Sequence, residues 1–244
     1  MTCGRAYSLG AAAVVLAALL SGQALSSDKE AGPKRPVAKR ADFAHERAPR
    51  DIRQFADWVL DSVDHKGLPF AIVDKPNARV FVFDSSGRIR GGAPVLLGSA
   101  PGDHSVPGIG ERELSEMSAE DRTTPAGRFV AAIGNNFRGE DVLWVDYDSG
   151  LSMHRVLTTK PEERRLERLA TPTSKDNRIS YGCINVPKKF YEEIVAPTFS
   201  GTDGIVYILP ESGSARKLFG TYGVEEPTHL RNITHSGPAR KKHP

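Results

Sequence analysis

Cysteine is scarce in this sequence: its 244 residues include only two, Cys3 and Cys183. Two thiols cannot build the disulfide framework on which many small secreted domains depend. Long apolar runs are also few, and the one near the N-terminus, Leu9 to Leu20, is too short for a comfortable membrane span. Charge of one sign is not in large excess. The formal net charge of +3 does not indicate nucleic-acid binding.

The N-terminus has the layout of a secretory signal peptide, which we place at residues 1–25. Arg5 supplies a short positive segment, the apolar run follows, and Gly22-Gln23-Ala24 offers small residues where a signal peptidase acts. An uncleaved N-terminal anchor is the alternative. Cleavage would remove Cys3, so the mature chain would keep one thiol, Cys183, and no membrane span.

The composition changes along the mature chain and predicts three parts. Residues 26–49 are polar and basic and are typical of a flexible tether. Residues 50–225 carry the periodic apolar patterns of a folded domain, and residues 226–244 are predicted to be a disordered tail. At the start of the domain, apolar residues at helical spacing over Pro49–His65 predict an amphipathic capping helix.

The apolar period then changes to two, which predicts a mainly β domain with few helices and mostly antiparallel strands. A second helix is expected over Pro187–Val195, with Phe190, Tyr191, Ile194 and Val195 facing inward. Two polar or charged insertions, residues 101–124 and 157–178, are expected to form either active-site lids or solvated surface. The predicted strands are Phe70–Asp74, Arg79–Asp84, Pro94–Gly98, Gly127–Ile133, Val142–Tyr147, Leu151–Val156 and Gly204–Leu209.

The segment around Cys183 is the densest candidate site. A cysteine that follows a glycine and precedes a helix can be activated by backbone amides and by a nearby imidazole. Gly182 would let a substrate carbonyl approach the backbone, and the N–H groups from Tyr181 to Cys183 could form an oxyanion hole. The alternative is an inert thiol in the core, because free cysteine is among the most buried residue types.

His154 is the candidate base for this thiol. It is the one histidine on a predicted strand inside the domain, in Leu151–Val156. A base at the end of a rigid strand can be held within hydrogen-bond reach of a thiol. The other histidines lie in the tail, the tether, the end of the capping helix or a polar loop: His229, His235, His243, His45, His65 and His104.

Three segments together resemble the L,D-transpeptidase (YkuD-like) family. Ser180-Tyr181-Gly182-Cys183-Ile184-Asn185 is similar to the family signature Ser/Thr-His-Gly-Cys-x-Arg/Asn, and His154 matches the histidine upstream of it. Thr124-Pro125-Ala126-Gly127-Arg128-Phe129 is similar to the family's Thr-Pro-x-Gly-x-Phe/Tyr box. The resemblance covers roughly residues 70–210. It departs from the family at Tyr181, where the signature has histidine, and in the length of the second insertion.

The resemblance implies a β-sandwich or barrel fold and a cysteine enzyme that acts on peptidoglycan stem peptides in the periplasm or cell wall, as part of wall biogenesis and cell shape. Cys183 would be the nucleophile and His154 the general base and acid, oriented by the carbonyl of the next residue. Neither a metal nor an organic cofactor is expected. The motif residues Ser180, Tyr181 and Gly182 would belong to the oxyanion region. Substrate contacts would come from Asn185, Arg155 and Arg178.

Several alternatives remain open at this stage. The same Cys–His pair could serve an L,D-carboxypeptidase or another wall hydrolase. The tyrosine at position 181 favours a different class, a catalytically silent wall-binding module. A third class is a β domain that dimerises through Cys183. The sequence does not fix the oligomeric state.

Overall fold

The computed structural model describes residues 38–223, and the predicted signal peptide, the first part of the tether and the tail lie outside the described residues. Its strands are β1 (Phe70–Asp74), β2 (Arg79–Phe83), β3 (Ile89–Pro94), β4 (Leu97–Gly98), β5 (Gly127–Asn135), β6 (Asp141–Asp146), β7 (Leu151–Arg155), β8 (Arg178–Ser180), β9 (Ile184–Val186) and β10 (Gly204–Ile208). Its α-helices are α1 (Arg50–Asp61), α2 (Arg165–Ala170), α3 (Lys188–Phe190), α4 (Ala196–Phe199) and α5 (Ala215–Phe219). A π-helical turn, Tyr191–Val195, joins α3 to α4, and short 3-10 helices occupy Ile109–Glu111, Leu114–Glu116 and Pro161–Glu163.

Eight strands form one sheet in the order β3-β2-β1-β10-β5-β6-β7-β9, and β4 pairs with β8 in a second, two-stranded sheet. In the large sheet only the pairs β1–β10 and β7–β9 are parallel. An isolated bridge between Leu96 and Asn185 connects edge strand β9 to residues that follow the opposite edge strand β3, so the sheet curves towards closure. The fold is mainly β with a few short helices, as predicted.

Alternation along the strands divides the core into two layers. In β1, Ala71 and Val73 belong to one buried cluster, whereas Phe70 and Ile72 belong to the other. The first cluster is covered by the helical stretch after β9, in which Tyr191 and Val195 are completely buried, as the helical pattern predicted. Both faces of the sheet are therefore packed, which explains why β1 is buried along its whole length.

The predicted capping helix is confirmed as α1, which packs on the second core layer. Its buried residues recur at helical spacing and include Ile52, Phe55, Ala56 and Val59. The helix ends at Asp61, before the predicted end. Val63 therefore lies outside it, has a left-handed φ of 56° and is 47% exposed.

The domain begins before residue 50, because part of the predicted tether is packed. Phe43 is only 3% exposed, and its ring contacts that of Phe83 edge-on with 5.2 Å between the centroids. A bridge between Asp42 and Arg88 holds this segment beside the turn that precedes β3. Residues 41–49 are therefore part of the folded domain and not of a flexible tether. Burial of an aromatic side chain such as Phe43 stabilises a fold by about 1.5–3 kcal/mol.

A buried lysine attaches the first insertion to the sheet. The ammonium of Lys75 has no exposed side-chain surface and donates to the carboxylate of Asp103 at 2.8 Å and to the carbonyl of Thr124 at 2.7 Å. Burial lowers the pKa of Lys75, partly offset by Asp103. Burial by itself would raise the pKa of Asp103, but Lys75 and the backbone N–H of Glu211 hold it well below its usual value. Through these contacts Lys75 holds both ends of the first insertion, at Asp103 and at Thr124.

Candidate active site

Two parallel strands place the candidate nucleophile and base on the same face of the sheet. In the pairing of β7 with β9, Met153 lies beside Ile184 and His154 lies beside Asn185. Met153 and Ile184 are completely buried in the core, so the side chains that alternate with them point to the other face. Cys183, one residue before β9, therefore lies on the same face of the sheet as His154.

The thiol of Cys183 has polar neighbours. The residue is partly exposed, and its sulfur lies 3.6 Å from the hydroxyl oxygen of Ser152 and 3.6 Å from the carbonyl oxygen of Gly150. Burial of the sulfur by itself would raise its pKa. Interactions with His154 and with Ser152 outweigh that effect and lower the pKa of Cys183 below its ordinary value. These polar neighbours differ from the apolar surroundings that raise the pKa of a structural cysteine.

The imidazole of His154 is held in one tautomer. Its Nδ1 lies 2.7 Å from the carbonyl oxygen of Arg155, which can only accept a hydrogen bond, so Nδ1 carries a proton. Nε2 is then the nitrogen that can exchange a proton with the thiol. Burial by itself would lower the pKa of His154, but Cys183 and the Arg155 carbonyl together raise it above the ordinary value. The expected orienting role of the Arg155 carbonyl matches this geometry.

The turn before Cys183 requires glycine. Gly182 has a φ of +129°, and a Cβ atom there would lie 3.0 Å from the carbonyl oxygen of Thr123. The hydroxyl of Ser180 donates to the carbonyl of Cys183 at 2.6 Å and accepts from the N–H of Gly182 at 3.1 Å. The N–H of Gly182 is therefore engaged within the turn. An oxyanion hole in this turn stays a prediction, and the amides of Tyr181 and Cys183 are its candidates because the N–H of Gly182 is bound to Ser180.

The first residue of the Thr-Pro box, Thr124, binds the same turn through hydrogen bonds. The hydroxyl of Thr124, which is completely buried, donates to the carbonyl of Gly182 at 2.7 Å and accepts from the N–H of Gly98 at 2.8 Å. Thr124 thus links β4 to the cysteine turn. The first residue of this box has a structural role that its position in the sequence, far from Cys183, does not reveal.

A cleft opens over Cys183, and the first insertion forms much of its wall. On one side lie Tyr181, Gly182 and the turn that precedes β7. The guanidinium of Arg122 covers the ring of Tyr181, 4.2 Å from its centroid. This is the arrangement of a cation–π contact, and it holds the tyrosine at the edge of the cleft. The insertion contributes Ser105, Ile109, Gly110, Arg112, Leu114, Met117, Asp121 and Thr123 to the lining.

The two arginines that were expected to bind a substrate carboxylate are paired with acids of the protein. Arg155 donates to the carboxylates of Asp141 and Glu192, and its guanidinium covers the ring of Tyr191. Arg178 is bound to Glu211, beside the Lys75 cluster. Neither is among the described residues that line the cleft. Substrate contacts from these two side chains therefore stay a prediction, and in this structure both guanidinium groups are paired with carboxylates.

Asn185 was also expected to contact substrate, and in this structure its side chain lies beside the candidate base. The residue is 1% exposed, and its Nδ2 lies 3.2 Å from Nε2 of His154. Its Oδ1 accepts from the guanidinium of Arg165, on α2 in the second insertion, at 2.6 Å. Sequence reasoning missed Arg165 and Ser152. The period of two along β7 could have indicated Ser152, two residues before His154, whereas no local signal marked Arg165.

Within residues 38–223, no group of three or more histidine, cysteine, aspartate or glutamate side chains is arranged to hold a metal ion. In the same range, the helices are all too short or too polar to cross a bilayer.

Comparisons with known proteins found no matching family model and no matching curated protein. Among solved structures, the chain is similar to the helical cell shape determining protein Pgp2 from Campylobacter jejuni, with 15% identity and a TM-score of 0.40 over 60% of this chain and 49% of Pgp2. It is also similar to the LD transpeptidase LdtMt1 in complex with imipenem (14% identity, TM-score 0.33, 58% of each chain). A third similar structure is the catalytic domain of an E. faecium L,D-transpeptidase (16% identity, TM-score 0.32, 57% of this chain and 95% of that domain). The alignment spans about half of Pgp2. With TM-scores below 0.5, these likenesses decide nothing about the activity of this chain.

Proposed function

We propose that the protein is an exported cysteine L,D-transpeptidase that acts on peptidoglycan stem peptides through a thioester acyl-enzyme. The observation that carries this proposal is the placement of Cys183, which lines a cleft and directly precedes β9, on the same face of the sheet as His154 of β7, with the thiol pKa lowered and Nδ1 of the imidazole facing the Arg155 carbonyl. The resemblance of the Ser180–Asn185 signature to the family adds the substrate class, and the predicted signal peptide adds the location outside the cytoplasm.

In the proposed first half-reaction, the thiol proton of Cys183 moves to Nε2 of His154, and the thiolate attacks the carbonyl carbon of the L-to-D amide bond. A C–S bond forms, and the carbonyl oxygen becomes an oxyanion that the backbone N–H groups of Tyr181 and Cys183 would stabilise. The C–N bond then breaks. The imidazolium of His154 gives its proton to the departing amine, D-alanine leaves, and a thioester remains on Cys183.

In the second half-reaction, an acceptor amine attacks the thioester carbonyl while Nε2 of His154 removes its proton. The C–S bond breaks, a new amide bond forms, and the Cys183 thiolate returns. Water in place of the amine would give a trimmed stem, which is the L,D-carboxypeptidase reaction of the same residues. The roles proposed for Cys183 and His154 are identical in both cases, so product analysis has to separate them.

The experiment incubates the protein with a disaccharide-tetrapeptide, with and without an added amine acceptor, and analyses the products by mass spectrometry. A transpeptidase gives a product equal to the donor minus D-alanine plus the acceptor. A carboxypeptidase gives only the trimmed stem in both incubations. The matched control is Cys183→Ala, which should give neither product while its unfolding curve stays close to that of the wild type.

Imipenem provides a second test, because the similar LdtMt1 structure contains it. A carbapenem is an acylating agent, and it should form a one-to-one covalent adduct with the wild-type protein and none with Cys183→Ala. A folded wild-type protein that forms neither the adduct nor either product would overturn the proposal. That result would leave the silent wall-binding module, which Tyr181 favoured at the sequence level.

A further inference from the structure

A side chain from the second insertion reaches the support of the candidate base. Arg165 is the first residue of α2, and its side chain is only 10% exposed. One guanidinium nitrogen, Nη1, donates to Oδ1 of Asn185 at 2.6 Å, and Nε donates to the carboxylate of Glu163 at 2.5 Å. This charged segment is therefore not only solvated surface, because one of its cations is packed next to the site.

The contact with Arg165 dictates how the amide of Asn185 is turned. A guanidinium has five donors and no acceptor, so the atom of Asn185 that faces it must be the carbonyl oxygen. The amide nitrogen is then the atom that faces Nε2 of His154, at 3.2 Å. Asn185 is buried, and its backbone bridges to Leu96, so the side chain has few other positions.

This orientation affects the two protonation states of His154 differently. When Nε2 is unprotonated, it accepts from the Asn185 amide, and the contact is favourable. When Nε2 has taken the thiol proton, two N–H groups face each other, and Asn185 cannot offer its oxygen because Arg165 holds it. The nearby positive charge of Arg165 opposes the imidazolium as well.

We propose that Arg165 is a positioning residue that locks the Asn185 amide with its nitrogen towards His154 and so makes the imidazolium of His154 more acidic. The inference rests on the proposed role of His154 as the base for Cys183. A more acidic imidazolium gives its proton more readily to the leaving amine and regenerates the base for the acceptor step. The second insertion is thereby coupled to catalysis, through one guanidinium.

The charged and titratable groups that face His154 agree with this assignment. Cys183 lies on one side and raises the pKa of the imidazole, whereas the charge of Arg165 opposes the protonated form. The side chain of Arg155, the next residue on the strand, turns away towards Asp141 and Glu192. Glu163 partly neutralises Arg165, so changes at positions 163 and 165 should act in opposite directions.

The test measures the pKa of His154 by NMR of its imidazole in the full chain carrying Cys183→Ala, which removes the titration of the thiol and needs no transpeptidase activity. In this background, Arg165→Met should raise the pKa of His154 by about 0.5–1 unit, because it removes a like charge and frees the Asn185 amide to turn. Glu163→Gln should lower it, because the guanidinium then loses its neutralising partner. Arg165→Lys should restore most of the wild-type value, since an ammonium can also donate to Oδ1.

Arg164→Met is the matched control, because Arg164 is the neighbouring residue, is 70% exposed and pairs on the surface with Glu167. It removes the same charge and should leave the pKa of His154 unchanged. An unchanged value in folded Arg165→Met, or an equal shift in Arg164→Met, would overturn the proposal. If Arg165→Met does not fold, the direction of the shift in Glu163→Gln decides. Failure of the muropeptide assay alone would refute the proposed function and leave this result standing.

Discussion

Replacing Thr124 by valine should loosen the turn that carries Cys183 and destabilise the domain. The change keeps the shape of the side chain but removes a hydroxyl that donates to Gly182 at 2.7 Å and accepts from Gly98 at 2.8 Å. Both groups lie in the interior, where no other polar partner replaces the hydroxyl. Each buried group left without a partner costs about 1–3 kcal/mol, so for the two groups we expect the free energy of unfolding to fall by about 2–6 kcal/mol.

The assay for Thr124→Val combines urea unfolding with the rate at which imipenem or iodoacetamide modifies Cys183. The rate at which Cys183 is modified should change together with the free energy of unfolding. The reason is that the carbonyl that Thr124 binds belongs to Gly182, the residue directly before Cys183. Thr123→Val is the matched control: its hydroxyl makes one longer bond, 3.3 Å to the carbonyl of Glu120, and its loss should cost at most about 1 kcal/mol. Equal free energies of unfolding for the two variants would refute the conclusion that the Thr124 hydroxyl holds the turn before Cys183.

Two further predictions concern the buried ion pair and the thiol. Lys75→Met should lower the free energy of unfolding, measured with urea, by about 3–5 kcal/mol, because Asp103 loses a buried partner. The control is Lys189→Met, at a side chain that is 82% exposed, and it should change the free energy of unfolding little. In the wild type, the pKa of Asp103 is lower in the folded chain than its value of about 3.9 in the unfolded chain. The stability that results is present above about pH 3.9 and is lost as the pH falls towards the pKa of the folded state. Lys75→Met should weaken this dependence of stability on pH. For Cys183, whose pKa lies below the ordinary value, alkylation by iodoacetamide should proceed at pH values where a free thiol is largely protonated. His154→Ala should move that pH–rate profile to higher pH, and an unmoved profile would show that the imidazole does not activate the sulfur.

Much of the fold followed from local pattern. The alternation in Phe70–Asp74 and the helical spacing of Ile52, Phe55 and Val59 are direct consequences of burying one face, and both elements formed where predicted. Strand β3 was missed because Gly91 and Gly92 have little intrinsic preference for a strand, and it forms through its ladder with β2. Strands β8 and β9 are only three residues long and leave too short a pattern to recognise.

The sequence alone determined which groups are candidates for chemistry: one thiol in the domain, one histidine on a predicted strand, and a glycine directly before the cysteine. Only the tertiary structure decided how those atoms are supported. Thr124, Asn185 and Arg165 reach the site through hydrogen bonds between residues that are distant along the chain or on different elements. Such contacts have no period in the sequence, because they depend on where folded segments meet and not on which face a residue occupies.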